Sequence, residues 1–271
     1  MRSEALKIDR AHVEKTFRDY AKAYDMTDTK IRLKYDHTFR VAMLCEKIAD
    51  SLSLSAADRD LAWLTGMLHD IGRFEQVKRY GTFRDADSVD HAHFGAKLLK
   101  EGLLETYLPG CMMASGGDEI TLLLKAIDNH SAFRLPKDLT ERELLFCNIL
   151  RDADKIDILR VNAEIPQEEI YNTTTEKLMH DPVSEAVMEA FPKRSAILHS
   201  LKETTVDHLV GHISLVYELV YPFSLKEACA QGYLYRSLNF RSENPKTNAQ
   251  FDRIRAIMRD YLAECGISFS S

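Results

Sequence analysis

Six polar side chains fall where the surrounding pattern calls for apolar ones. His37 lies one helical turn before Val41, on the stripe that continues through Leu44, Ile48 and Leu52. His69 and Asp70 close the stripe of Leu61, Leu64 and Leu68, and His91 shares a face with Gly95 and Leu98. His130 extends the row Ile120, Leu123 and Ile127, and Asp154 follows Leu150 by four residues. Residues three and four apart are neighbours on one face of a helix. Burying an unpaired carboxylate costs on the order of several kcal/mol. One such residue needs only a local partner, and a lone histidine on an apolar face is ordinarily a satisfied core residue. A set drawn from five helical segments calls for a shared partner instead. Neutral imidazole and carboxylate are ligands for zinc, iron, manganese, cobalt or nickel, so the chemistry implied is that of a divalent metal centre.

The elements that must position these side chains are helices nearly from end to end, with no convincing strand, so the fold class is all-α. Residues 9–24 place Val13, Phe17, Tyr20 and Tyr24 on one face, and residues 28–52 form a second helix with Asp28 as N-cap. Ser55 and Asp58 resemble a capping box that opens a helix expected to stop near Gly72. Residues 76–88, rich in charge and aromatics, read as a loop, and Ser88 as the cap of a helix running to about Glu101. Gly116-Gly117-Asp118 reads as a loop and cap, and Thr140 with Glu143 as a second capping box, opening a helix to about Leu159. Pro166 starts another helix, and further helices are expected over about 184–191, 205–220, 225–231 and 248–264, with Gly266 ending the last. The simplest organisation is a metal-binding helical domain over residues 1–165 and a helical extension, 166–271, packed on it.

Composition narrows the function classes. The chain has 271 residues, 45% of them hydrophobic and 29% charged, which suits a soluble globular protein with a large core. A net charge of -6 argues against bulk nucleic-acid binding, though not against a small anionic substrate. Five cysteines, widely spaced and without a C-x-x-C pair, argue against disulfides and against a thiolate zinc site. The N-terminal residues lack the apolar core of a signal peptide and no run approaches a membrane span, so a cytoplasmic location and no membrane partner are expected. No G-x-x-x-x-G-K-[ST] or G-x-S-x-G occurs, which disfavours a P-loop nucleotide site and a serine hydrolase. His208 and His212 stand four apart, but no Glu follows His208, so a packing or surface role is expected for both.

The order His37, then His69-Asp70 in Gly-Met-Leu-His-Asp-Ile-Gly-Arg, then Asp154 in Arg-Asp-Ala-Asp-Lys-Ile-Asp resembles the H…HD…D signature of the HD superfamily of metal-dependent phosphohydrolases. Asp90-His91-Ala-His-Phe-Gly-Ala and Ile127-Asp-Asn-His130 resemble the third and fourth histidine segments of its longer form. The resemblance covers about residues 30–160. It implies an HD-type helical bundle in which His37, His69, Asp70 and Asp154 hold a first ion, and Asp70 bridges to a second held by His91 and His130. His93 is an alternative to His91, and Asp152 to Asp154; the spacing to Gly95-Ala96 favours His91, and the Ala-Asp-Lys context favours Asp154. The Gly-Tyr-Pro element of the cyclic-dinucleotide phosphodiesterases is replaced by Gly81-Thr82-Phe83, and their doubled histidine by His130-Ser131, which speaks against that substrate.

The implied reaction is hydrolysis of a phosphoester of a small molecule, such as a nucleotide, by a metal-activated hydroxide. Asp70, His91 and His130 are its catalytic centre, with one or two divalent ions (Mn, Fe, Co, Ni or Zn) as cofactors. Arg73, Lys78, Arg79, Arg84 and Lys155 are candidates for gripping the phosphate, Arg73 and Lys155 foremost. Tyr80 and Phe83 are placed either to stack a base or to pin the loop. Two other readings use the same residues: a di-iron oxygenase of HD fold, and a non-catalytic ligand-binding module. The sequence is also compatible with a homo-oligomer.

Overall fold

Local caps set where the first helices begin. The carboxylate of Asp9 accepts from the His12 amide at 3.1 Å and starts α1 (Arg10–Ala21). Asp28 accepts from the Lys30 amide at 2.8 Å at the head of α2 (Thr29–Ser51). Ser55 Oγ accepts from the Asp58 amide at 3.1 Å at the head of α3 (Ala56–Leu68). Each satisfies a backbone N–H that the first turn of a helix leaves without a partner. The structure, a computed structural model, describes residues 6–110, 117–165 and 173–268, and no strand occurs among them.

The chain divides into two compact units, residues 1–154 and 155–271. In the first, α3 is buried on every side from Leu61 to Leu68, which makes it the central rod. It packs closely on α2, because Gly66 lets the backbones approach: a Cβ there would lie 2.6 Å from Ala42 Cα. The unit continues with α4 (Ile71–Tyr80), α5 (His91–Leu98), the short α6 (Leu104–Tyr107), α7 (Gly117–Asp128) and the start of α8 (Glu141–Glu164); α7 packs on α3 and α5, α4 on α2 and α5, and α6 on α1. Phe17 of α1 meets Tyr35 and Phe39 of α2 and Phe74 of α4, with ring centroids 5.5–5.8 Å apart. This aromatic cluster ties α1 and α4 to α2, and edge-to-face pairs of this kind add about 0.5–1.5 kcal/mol beyond the area they bury.

Several boundaries differ from those read in the sequence. The helix expected to stop near Gly72 stops at Leu68, and α4 begins at Ile71. Asp70 holds the N-cap position of α4 but makes no capping hydrogen bond, because its carboxylate is directed at the histidines. Residues 76–80, expected in a loop, continue α4 to Tyr80, where Gly81 adopts a left-handed φ of 68° and ends it. The cap of α5 is Asp90 rather than Ser88: its carboxylate accepts from the amides of Ala92 and His93 at 3.0 and 3.1 Å, while Ser88 donates to the Arg84 carbonyl. α5 ends at Leu98 and passes through a wider turn at Gly102. At α8 both arms of the capping box form, Thr140 N–H to Glu143 at 2.8 Å and Glu143 N–H to Thr140 Oγ1 at 3.3 Å.

The second unit is also helical: α9 (Thr175–His180), α10 (Glu185–Ala190), α11 (Thr205–Ile213), α12 (Pro222–Ala230), α13 (Tyr233–Leu238) and α14 (Pro245–Glu264). The helix expected over 205–220 is α11 followed by a 3-10 turn, and α9 and α13 were not foreseen. Buried Asp207 organises the start of α11, accepting from the amides of Ser184, Glu203 and Thr204, each at 2.9 Å. Leu209, Val210, Ile213, Leu234, Phe251, Ile254 and Met258 form a core. The expected helix start at Pro166 lies outside the described residues, as does Gly116 of the expected loop. No described helix is long and apolar enough to cross a membrane.

Candidate metal centre

Asp70 stands in the break between α3 and α4, and each of its oxygens faces a different pair of imidazoles. Oδ2 lies 3.4 Å from His69 Nε2 and 3.6 Å from His37 Nε2. Oδ1 lies 3.6 Å from His91 Nε2 and 3.7 Å from His130 Nε2. Asp154, on α8, joins the first group, with Oδ1 at 3.1 Å from His37 Nε2 and 3.9 Å from His69 Nε2. Donors held about 2.0–2.1 Å from a tetrahedral ion are separated from one another by about 3.3–3.4 Å, so these spacings are those of ligand shells. His37, His69, Asp70, His91 and His130 are all buried, and the Asp154 side chain is 15% exposed, marking the open edge.

The tautomers follow from what holds the other ring nitrogen. His69 Nδ1 lies 2.7 Å from the Gly66 carbonyl, and His130 Nδ1 lies 2.7 Å from the Ile127 carbonyl. A carbonyl only accepts, so both Nδ1 atoms carry the proton and donate, and both Nε2 atoms present a lone pair. Burial lowers the pKa of His69, outweighing the attraction of Asp70. Burial, assisted by the Arg73 guanidinium, pushes His91 down to about 4. The rings of His69 and His91 are therefore neutral near pH 7, yet His91 Nε2 and His130 Nε2 stand 3.0 Å apart, and His37 Nε2 and His69 Nε2 3.3 Å apart. Facing nitrogen atoms at these distances are mutually satisfied by a cation between them. Asp70 Oδ1, which is buried and accepts no hydrogen bond, points the same way. The residues present thus form two His/Asp groups that share Asp70 and could hold a metal ion.

Both carboxylates stay ionised. Burial alone would raise the Asp70 pKa, but the Lys34 ammonium beside it holds it well below the usual carboxylate range. Asp154 is held low as well, against its own burial, with His37 Nε2 facing its Oδ1 at 3.1 Å. Lys34 Nζ lies 2.6 Å from Asp70 Oδ2. Sequence reading passed over this lysine, although it precedes His37 by three residues on the same face of α2. It passed over Asp85, whose Oδ2 lies 2.6 Å from His91 Nδ1, and over buried Gln76, which donates to Asp85 Oδ1 at 3.0 Å. It also passed over Arg151, whose Nη1 donates to the carbonyls of Asn129, His130 and Ala132 and so shapes the turn that carries His130.

The alternatives separate cleanly in space. His93 is exposed and pairs with Asp128 at 3.0 Å, away from the cluster that His91 joins. Asp152 is buried two residues before Asp154, and side chains two apart on a helix diverge by about 200°. Among the cations expected to grip a phosphate, Arg73 reaches the centre, with Nε 3.6 Å from Asp70 Oδ1, while its Nη1 donates to Gln76, Asp85 and the Phe83 carbonyl at 2.7–2.8 Å. Lys78 and Arg79 lie on α4, not in a loop, and face Glu75 at 4.0 and 2.6 Å; Arg84 pairs with Asp87 at 3.2 Å. Lys155 is buried next to Asp154 in the sequence and belongs to the second unit. Phe83 lies beneath Arg73 and Lys34, 5.5 and 5.7 Å from its ring, whereas Tyr80 is exposed. A cavity of about 350 Å³ in the second unit, lined by Asn162, Leu209, Arg236 and Phe240 among others, contains none of the six clustered residues. His208 and His212 belong to none of the metal-ligating groups found among the described residues.

Compared with known proteins, residues 35–159 match the model of the HD domain family. No curated protein and no solved structure matches the chain.

Proposed function

Residues 35–159 are an HD domain, and from that premise we propose that this chain is a metal-dependent phosphohydrolase that cleaves a phosphoester of a small molecule of nucleotide type. The observation that carries the reading is Asp70. Its two oxygens serve two histidine pairs, and the one facing His91 and His130 has no hydrogen-bond donor. Divalent ions bound there would supply Lewis acidity toward a phosphoryl oxygen and a water acidic enough to be a nucleophile near neutral pH. His37, His69, Asp70 and Asp154 would hold one ion, and Asp70, His91 and His130 the other.

The chain's own contribution is position and charge. Backbone carbonyls fix the rings of His69 and His130, so their lone pairs need no rearrangement. Lys34 is 15% exposed and lies at the open edge with Asp154. Once a cation takes Asp70 Oδ2, its ammonium is left to meet an incoming anion. Arg73 adds a second positive charge on the other side of Asp70. Two cations flanking the ligand cluster suit a phosphate-bearing substrate. Lys78, Arg79 and Arg84, which pair with Glu75 and Asp87, remain candidates for gripping the phosphate.

The test is phosphate release from a panel of phosphorylated metabolites, with metal-free protein reloaded separately with Mn, Fe, Co, Ni and Zn, each run both with and without oxygen. Turnover with one or more ions is expected. Asp70→Ala is expected to abolish it, and to abolish the rise in melting temperature on adding metal, while the metal-free variant still folds. Release of no phosphate with any ion, or a product formed only with iron and oxygen, would overturn the reading in favour of the oxygenase.

A further inference from the structure

Among the histidines of the centre, His91 is held differently from His69 and His130. His69 and His130 each follow helical turns, and each donates to the carbonyl three residues earlier, Gly66 and Ile127, at 2.7 Å. His91 is the first residue of α5. Residues 88–90, directly before it, are not helical, so no helical turn aims a carbonyl at its Nδ1, and a side chain takes that nitrogen instead. The catch is Asp85, from the loop between α4 and α5, with Oδ2 at 2.6 Å from His91 Nδ1.

Asp85 is itself held on its other oxygen. Arg73 Nη1 donates to Oδ1 at 2.8 Å and Gln76 Nε2 at 3.0 Å. Gln76 is fully buried and also reaches Ser88 Oγ at 2.9 Å and the Val89 carbonyl at 3.1 Å, so one side chain of α4 gathers the middle and the α5 end of the loop. Arg73 fastens the Phe83 carbonyl at 2.7 Å. Asp90, the neighbouring carboxylate, is already engaged as the cap of α5. The carboxylate on His91 is thus a built arrangement of four side chains rather than a chance approach.

Resting on the two-ion reading above, we infer that Asp85 is the positioning residue for the second ion: it fixes the tautomer and ring plane of His91 and makes its Nε2 a stronger donor than a carbonyl partner would. Removing such an outer carboxylate ordinarily weakens metal affinity about 10- to 100-fold. The effect falls on the pair His91 and His130 and leaves the group of His37, His69 and Asp154 unchanged. Arg73 and Gln76 act through Asp85.

Cobalt titration of the metal-free full-length protein, followed by visible absorption, tests this. Wild type is expected to bind two Co²⁺. In Asp85→Ala one step should weaken about 10- to 100-fold and the other stay within twofold, and Asp85→Asn, which keeps an acceptor but loses the charge, should fall between. Circular dichroism melts of the metal-free proteins show whether each variant folds, and Asp85→Asn carries the test if the alanine variant does not. Equal weakening of both steps, or two unchanged steps, would overturn the role of Asp85. A wild type that binds fewer than two Co²⁺ would overturn the two-ion reading beneath it.

Discussion

Histidines that must meet a cation are most useful when they are not already charged, and burial arranges this. His91 ionises at about 4 and His69 also below its ordinary value, in both cases chiefly because burial disfavours the imidazolium. The sign for stability follows directly. Below pH 6.5 the unfolded chain takes up protons that the folded chain refuses, so stability is lost as pH falls from 6.5 toward 4, by about 3 kcal/mol at the lower end for His91 alone. The depressed carboxylates Asp70, Asp85 and Asp154 act in the same direction at lower pH, their contribution being lost as pH falls below 3.8. Urea unfolding of metal-free protein at pH 7.5, 6.5 and 5.5 should show a falling midpoint, with a shallower slope in His91→Gln; a midpoint that holds or rises would mean that these rings are protonated in the fold. The six polar residues were legible in the sequence because burial of a charged or polar group on an apolar stripe is visible from spacing alone. Asp85 was not, since its link to His91 depends on how a loop folds back, and spacing along a loop carries no such information.

Between helices, the approach of α4 to α5 is what brings His91 to Asp70. Gly72 and Gly95 meet at the crossing, and a Cβ on Gly72 would lie 2.7 Å from both the Gly95 nitrogen and the His91 carbonyl. Those neighbours are backbone and cannot rotate away. Gly72→Ala should therefore destabilise by about 1–3 kcal/mol and weaken the ion held by His91 and His130, because the helices must part. Denaturant unfolding and cobalt titration of the same variant would check it, and unchanged values in both would mean that the contact is slack. Helix starts are legible wherever the signal is a local cap: Asp28 and Ser55 cap as expected and the Thr140–Glu143 box forms, although Asp58 accepts from the Ser55 hydroxyl, not completing a box there. They were misread where tertiary demands compete. Asp70 gives up the role of cap to face the histidines, Ser88 yields to Asp90, and the charged run after Phe74 continues a helix because α4 buries Gln76 and Val77 on its inner side.

At the scale of the chain, all six candidate ligands lie within residues 1–154, although they are drawn from positions 37 to 154. On the proposed reading, metal binding would therefore stabilise long-range contacts of one unit, by about 2.7 kcal/mol when the free ion is a hundred times its Kd. Hydrogen exchange should show this as slower exchange in α2, α3, α4 and α5 on adding Mn²⁺, with α12 and α14 little changed; uniform slowing throughout would mean that both units respond together. The helical class was legible from end to end because periodicity is a local property. The short α9 and α13 were not, since six residues give less than two turns in which a period can declare itself.

The carbonyl anchors on His69 and His130 have one more consequence. Their coordinating nitrogens are bare in the empty protein as in the filled one, so exchanging one first-row ion for another asks for no proton transfer at those two rings. A nest of imidazole and carboxylate donors ranks such ions by their general affinity order rather than by any preference of its own. On the two-ion proposal the occupant inside a cell would be decided by which ion is supplied, and preparations grown on different media would carry different metals in the same ligands.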